Sequence, residues 1–140
     1  MEIVMLLDID PPTITAQQKG VRVVHGRPFF YEKHEVTQAR RTVEWAMKKY
    51  VPDEPIQGPV ILSVALGIPT KDKKKLRKEW KDTRPDLDNM LKLLLDCLTE
   101  MKFFRDDAQI VQLHAQKKWS AEGYIHIKIT EIEDKGGDVG

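Results

Sequence analysis

The sequence predicts an α/β (α+β) fold, a single domain in which two long helices pack on a mixed β-sheet. Three observations predict it. Apolar residues alternate with polar or small ones at 3–9, 59–68 and 124–132, a period-two strand signal. Two other stretches, 33–50 and one beginning between Asp86 and Asp88, carry apolar residues at helical spacing. The chain has 140 residues, 41% hydrophobic and 32% charged, enough for one packed core and too apolar for disorder throughout. The domain is expected over residues 1–132, with 133–140 an acidic, glycine-rich tail.

Ile3, Met5, Leu7 and Ile9 share one face of a first strand, and Pro11-Pro12 ends it. Val21–Val24 and Phe29–Tyr31 flank His25-Gly26-Arg27-Pro28, which predicts a short hairpin. Val36, Ala39, Val43, Ala46 and Met47 form the apolar side of a helix over 33–50, with Arg40, Arg41, Lys48 and Lys49 on its polar side. Prolines 52 and 55 stop it. Val60, Leu62, Val64, Leu66 and Ile68 then alternate with small Ser63, Ala65 and Gly67, which predicts a strand covered by a helix on its small-residue side. A basic loop is expected over 69–85, and Pro85 disfavours a helical Arg84. The second helix carries the stripe Leu87, Leu91, Leu94, Leu98 and Met101, expected to bury against its own sheet. Phe103-Phe104 should anchor the core, and Cys97 should be a packing residue. Residues 108–117 and 124–132 read as the last strands, with His126 and Lys128 facing solvent.

Composition excludes several classes. One cysteine rules out an intrachain disulfide framework and a Cys-rich zinc site, and fits a reducing, cytoplasmic compartment. No apolar run approaches a membrane span. The N-terminus has no basic stretch and carries Asp8 in its short apolar run, so it reads as a strand and not a signal peptide. Four scattered histidines, His25, His34, His114 and His126, show no metal-ligand spacing.

Charge is unevenly spread. The net charge is only +1, but residues 131–140 hold four acids and one lysine. Between Lys71 and Arg84 lie eight cations (Lys71, Lys73, Lys74, Lys75, Arg77, Lys78, Lys81 and Arg84) against three acids, with Trp80 among them. A run of this kind is either a solvated loop or a phosphate-binding surface that gains affinity by releasing DNA counterions. The residues just beyond Arg84 favour the second. Asp86-Leu87-Asp88-Asn89 opens the second helix, with Lys92 one turn after Asp88. Capping explains one such residue, not all three. Asp106-Asp107 lies in the turn beyond the same helix. Should the two clusters converge, several carboxylates meet at one point, a costly concentration unless a cation neutralises it. Hard oxygen ligands suit Mg²⁺, which leaves room for water and phosphate. A carboxylate–Mg²⁺ site beside a cationic loop and a lysine has the parts needed for phosphodiester hydrolysis.

The series Asp86-x-Asp88-Asn89-x-x-Lys92, then Asp96, then Asp106-Asp107-x-Gln109, resembles the RusA-type Holliday-junction resolvases. The resemblance runs from about Val60 to Ile132 and more loosely to Pro11-Pro12. The chain departs from the family in having Pro85, not a basic residue, before the first aspartate. The resemblance implies a homodimer that binds four-way (branched) DNA junctions and cuts two strands of like polarity symmetrically with Mg²⁺ or Mn²⁺. Carried over by position, it implies Asp86, Asp88 and Asp107 as metal-binding catalytic carboxylates, with Asp106 the alternative to Asp107. It implies Lys92 as the lysine near the scissile phosphate. Asn89 is expected to orient the helix start or a metal-bound water. The other function weighed is a non-catalytic DNA-binding protein that keeps the fold. A phosphotransferase would need a nucleotide-binding loop, and no such pattern is present.

Overall fold

Alternation dictates the sheet, and the sheet dictates where everything else can go. The computed structural model describes residues 1–13 and 19–133. In chain order the elements are β1 (Glu2–Leu7), β2 (Lys19–Val24), β3 (Arg27–Glu32), α1 (His34–Met47), β4 (Val60–Pro69), α2 (Lys73–Lys78), α3 (Leu87–Glu100), β5 (Ile110–Ser120) and β6 (Tyr124–Glu131). Short 3₁₀ turns occupy Lys48–Tyr50 and Asp107–Gln109. The acidic tail expected over 133–140 lies, beyond Glu133, outside the described residues.

Four strands form one mixed sheet in the order β1-β6-β4-β5. β6 runs antiparallel to both of its neighbours, and β4 runs parallel to β5. The register stacks the alternating residues into rows across the sheet. One row is Ile3, Ile129, Leu62 and Leu113; the next is Met5, Ile127, Val64 and Ala115. A third is Leu7, Ile125 and Leu66, and it ends on Lys117. Apart from the edge positions on β5, these side chains are buried. β2 and β3 pair separately as an antiparallel hairpin. His25 and Gly26 form its two-residue turn with φ values of 51° and 76°, the left-handed pair that matches strand twist.

Two helices cover the buried rows, as the sequence predicts. α1 contributes Val36, Val43 and Met47, and α3 contributes Met90, Leu91, Leu93, Leu94, Cys97 and Leu98. Leu91, Leu94 and Leu98 are buried within this single chain, so the leucine stripe serves the chain's own core. After α3 the chain turns inward, and Phe103 and Phe104 are fully buried. Each contributes about 2–3 kcal/mol through the apolar surface it removes from water. Ile56 N–H donates to the Phe103 carbonyl at 2.9 Å, which ties this turn to the approach to β4.

Two expectations need correction. Among the described residues, no helix covers the Ser63, Ala65 and Gly67 side of β4. Ser63 and Ala65 line an open groove on the outer sheet face with Val4, Leu6, His114, His126 and Lys128. Gly67 is small for another reason: a Cβ there would run into the Tyr124 ring. The basic stretch is also not all loop. Asp72 caps α2 by accepting from Lys74 N–H at 2.9 Å. His126 and Lys128 are exposed, as expected. Among the described residues, no helix is long and apolar enough to cross a membrane.

Candidate active site

Three aspartates stand at helix N-cap positions, and they are used differently. Asp72 caps α2 with its carboxylate. Asp106 caps the turn before β5: its carboxylate accepts from Ala108 N–H at 2.9 Å, and Gln109 completes a capping box. Asp86 holds the N-cap of α3 in extended conformation, and its main-chain carbonyl accepts from Met90 N–H at 3.1 Å. Its carboxylate makes no capping bond. The sequence assigned one of Asp86, Asp88 and Asn89 to capping; the side chain of Asp86 does not serve there.

Asp86, Asp88 and Lys92 are all exposed along the start of α3. Among the described residues none of the three takes part in a salt bridge. The α3 N-terminus carries partial positive charge that favours both carboxylates and would favour an approaching phosphate. Two oxygen-rich side chains one turn or less apart, free of other duties, suit a hard divalent ion.

Asp107 is positioned elsewhere. It lies at the far end of α3, where the charge of Asp96 acts on it. Asp96 is eight residues beyond Asp88, about 12 Å along the helix axis. A hydrogen bond to Asp106 is the main reason that the Asp107 carboxyl titrates above its usual range, with partial burial and the charges of Asp106 and Asp96 adding to it. Asp106 moves the other way, chiefly because Ala108 N–H bonds its carboxylate, and then through Asp107. Among the described residues, no three His, Cys, Asp or Glu side chains of one chain stand close enough to hold a metal. Asp86 and Asp88 thus share the start of α3, while Asp106 and Asp107 act on each other as a separate pair.

The cationic segment flanks the first pair. Lys71, Lys73, Lys74, Lys75, Arg77, Lys78 and Arg84 are exposed. Lys78 is paired with Asp82 at 2.6 Å, and Lys75 stands 4.7 Å from the Trp119 ring centre. Lys81 is the exception and must be removed from the exposed set: it is 7% exposed. The main chain explains why. Trp80 bridges to Lys118 of β5, and Trp119 N–H donates to the Glu79 carbonyl at 2.7 Å, so the segment folds back along the sheet edge. This turns Lys81 inward, over the Trp119 ring at 4.5 Å. Burial, then the nearby charges of Lys117 and Lys75, pull the Lys81 pKa below its ordinary value.

Sequence reasoning missed Lys117 and Trp119. A signal was present. Alternation along β5 puts Leu113, Ala115, Lys117 and Trp119 on the helix-facing side, where a lysine is out of place. Cys97 is buried, and burial is the main cause that pushes its thiol up to about 12, so it is inert packing as expected.

Comparison with known proteins agrees with the family that the motifs suggest. Residues 10–130 match the family model described as endodeoxyribonuclease RusA. The crossover junction endodeoxyribonuclease rusA of Lactococcus phage r1t is 37% identical over 131 residues, covering 89% of this chain and 95% of that protein. The uncharacterized protein YqaN of Bacillus subtilis (strain 168) is 30% identical over 103 residues, covering 66% of this chain and 72% of its own. The chain belongs to the RusA endodeoxyribonuclease family.

Proposed function

We propose that this chain is a divalent-metal-dependent endonuclease that cuts four-way DNA junctions as a cytoplasmic homodimer, with Mg²⁺ as the metal and Mn²⁺ able to replace it. The observation that carries the proposal is Asp86 beside Asp88 at the start of α3, two exposed carboxylates with no capping bond or ion pair, next to Lys92 and a cationic segment. Their hard oxygens fit the ion. When bound, the ion supplies Lewis-acid polarisation of the phosphate and an activated water. Asp86 and Asp88 hold it. Lys92 offsets the negative charge that builds on the phosphoryl oxygens. Lys73, Lys74 and their exposed neighbours bind the DNA backbone.

Asp107 enters through the second chain. Were the two-fold axis perpendicular to α3, the two α3 helices of the dimer would run antiparallel, with the start of one against the end of the other. Asp86 and Asp88 of one chain would then face Asp107 of its partner. Asp107 is favoured over Asp106 as the third ligand because the Asp106 carboxylate is committed to Ala108 N–H. Two such composite sites per dimer account for symmetric cutting of two strands.

The test compares labelled four-way junction with linear duplex, with and without Mg²⁺ or Mn²⁺. Asp86→Asn, Asp88→Asn and Asp107→Asn should each slow junction cutting by about 10²–10³-fold while binding persists. Wild-type cutting by all three variants overturns the site, and binding without cutting in either metal leaves only a DNA-binding protein. Mixing Asp86→Asn with Asp107→Asn chains tests the shared site. The mixed dimer regains one intact site if the ligands come from both chains, and none if they come from one.

A further inference from the structure

Burying an ammonium costs several kcal/mol unless hydrogen bonds replace its water. Lys81 is the one buried charged side chain among the described residues, in a segment whose other cations are exposed. Its Nζ donates to the Thr83 hydroxyl at 2.6 Å and to the Arg84 carbonyl at 2.6 Å, with the Thr83 carbonyl at 3.4 Å. Lys117 reaches the same place from β5. Its Nζ donates to the Thr83 carbonyl and to the Pro85 carbonyl, both at 2.5 Å. Two ammonium groups from different parts of the chain thus grip three successive carbonyls, at residues 83, 84 and 85. The residue that comes next is Asp86.

We propose that Lys81 and Lys117 are positioning residues that clamp the Thr83–Pro85 backbone and thereby aim Asp86 at the metal. The inference rests on the proposed function for the role of Asp86, but the clamp itself is a matter of this chain's own geometry. Asp86 has no side-chain cap bond to fix its direction. Its aim is therefore inherited from the peptide planes just before it. A catalytic carboxylate must be held within about 0.5 Å of its working place. Carbonyls left to water would not provide that. Gripped by two lysines, one of them stacked on Trp119, they do. The same geometry takes Lys81 out of the phosphate-binding set, because an ammonium committed to three protein oxygens displaces no counterions from DNA.

The test uses the full chain and the variants Lys81→Met, Lys117→Met and Lys117→Arg. Methionine keeps the apolar stem and removes the donors; arginine restores donors at the half-buried strand position. On four-way junctions with Mg²⁺, each methionine variant should lose about 100-fold in kcat. KM and the salt slope of binding should stay at wild-type values, and Lys117→Arg should recover most of the loss. Without metal or DNA, amide hydrogen exchange should speed up about tenfold at Met90, whose N–H bonds the Asp86 carbonyl, and at Leu91, and stay unchanged in β4 and β6. Unchanged kcat together with unchanged exchange at Met90 and Leu91 overturns the proposal. So does a kcat loss joined by a shallower salt slope, which marks a phosphate contact, or faster exchange across the whole sheet, which marks a merely structural role. If the wild type cuts no junction, the proposed function fails while the exchange measurement still decides the clamp. Should Lys81→Met fail to fold, the Lys117 pair carries the test alone.

Discussion

Arg40 on α1 reaches Asp96 on α3 with Nη2 to Oδ2 at 3.0 Å, and its other terminal nitrogen reaches Glu100 at 3.0 Å. One guanidinium therefore neutralises two carboxylates four residues apart on the facing helix, with Glu44 of its own helix close by. Removing it leaves three acids crowded at the α1–α3 contact. Arg40→Met should destabilise the fold by about 1–2 kcal/mol, less than a buried pair would lose because both acids are about half exposed. Urea unfolding at low and at high salt checks this. The loss should shrink as salt screens the exposed acids, and a loss that does not change with salt would mean that packing, not charge, is at stake.

Gly67 is held to glycine by a neighbour and not by its own dihedrals. Gly67→Ala should cost about 1–3 kcal/mol, since the added methyl must push the Tyr124 ring off the sheet. The double variant Gly67→Ala/Tyr124→Ala should lose less than the sum of its parts, because the clash is the shared term. Additive losses in thermal unfolding would place the strain elsewhere.

These two contacts show where the sequence was legible and where it was not. Period-two alternation in β1, β4 and β6 reports which face is buried, since those side chains meet in rows across the sheet. The leucine spacing of α3 reports its buried stripe in the same way. The covering layer is a different matter. Small residues at 63 and 65 mean only that little room or little contact is needed, and an open groove satisfies that as well as a helix does. That Asp86, Asp88 and Lys92 share the start of α3 was legible because residues within two turns of one helix have fixed spacing. The separation of Asp107 was implicit in the same rule: acids before and after a 14-residue rod sit at its two ends. Lys81 was misplaced because a lysine run states charge and not direction. Its inward turn depends on the Trp80–Lys118 bridge, a long-range pairing with no local mark.

The exposed lysines of α2 should behave as phosphate contacts. Replacing Lys73 and Lys74 with Ala should lower the slope of log affinity against log salt by about 0.9 for each phosphate contact removed. Both are exposed and clear of the ion pair that holds Lys78. Junction affinity measured between low and moderate salt is the check. A slope equal to that of wild type would take α2 off the DNA.

Cys97 should be chemically silent in the folded chain. Its Sγ is buried and rests 3.9 Å from the Arg40 carbonyl, and a thiol pushed up to about 12 has almost no thiolate near neutrality. Thiol-specific reagents at pH 8 should label it only after denaturation. Rapid labelling of the native chain would show that the α1–α3 contact opens readily.

Glu44 gives the pH dependence a definite sign. Burial is the first cause that raises its pKa above the ordinary 4.5, with the charge of Glu100 and a hydrogen bond to it adding, and Arg40 opposing. The folded chain therefore binds this proton more tightly than the unfolded chain does. Stability from the group is fully present below the ordinary carboxylate pKa and declines as pH rises through the raised folded value. Glu44→Gln keeps a partner for Glu100 but cannot ionise. It should match wild type at about pH 4 and exceed it by a few degrees in Tm at about pH 7. Thermal unfolding of both proteins across that range is the measurement. A variant less stable than wild type at neutral pH would mean that attraction between Glu44 and Arg40 outweighs burial and repulsion from Glu100.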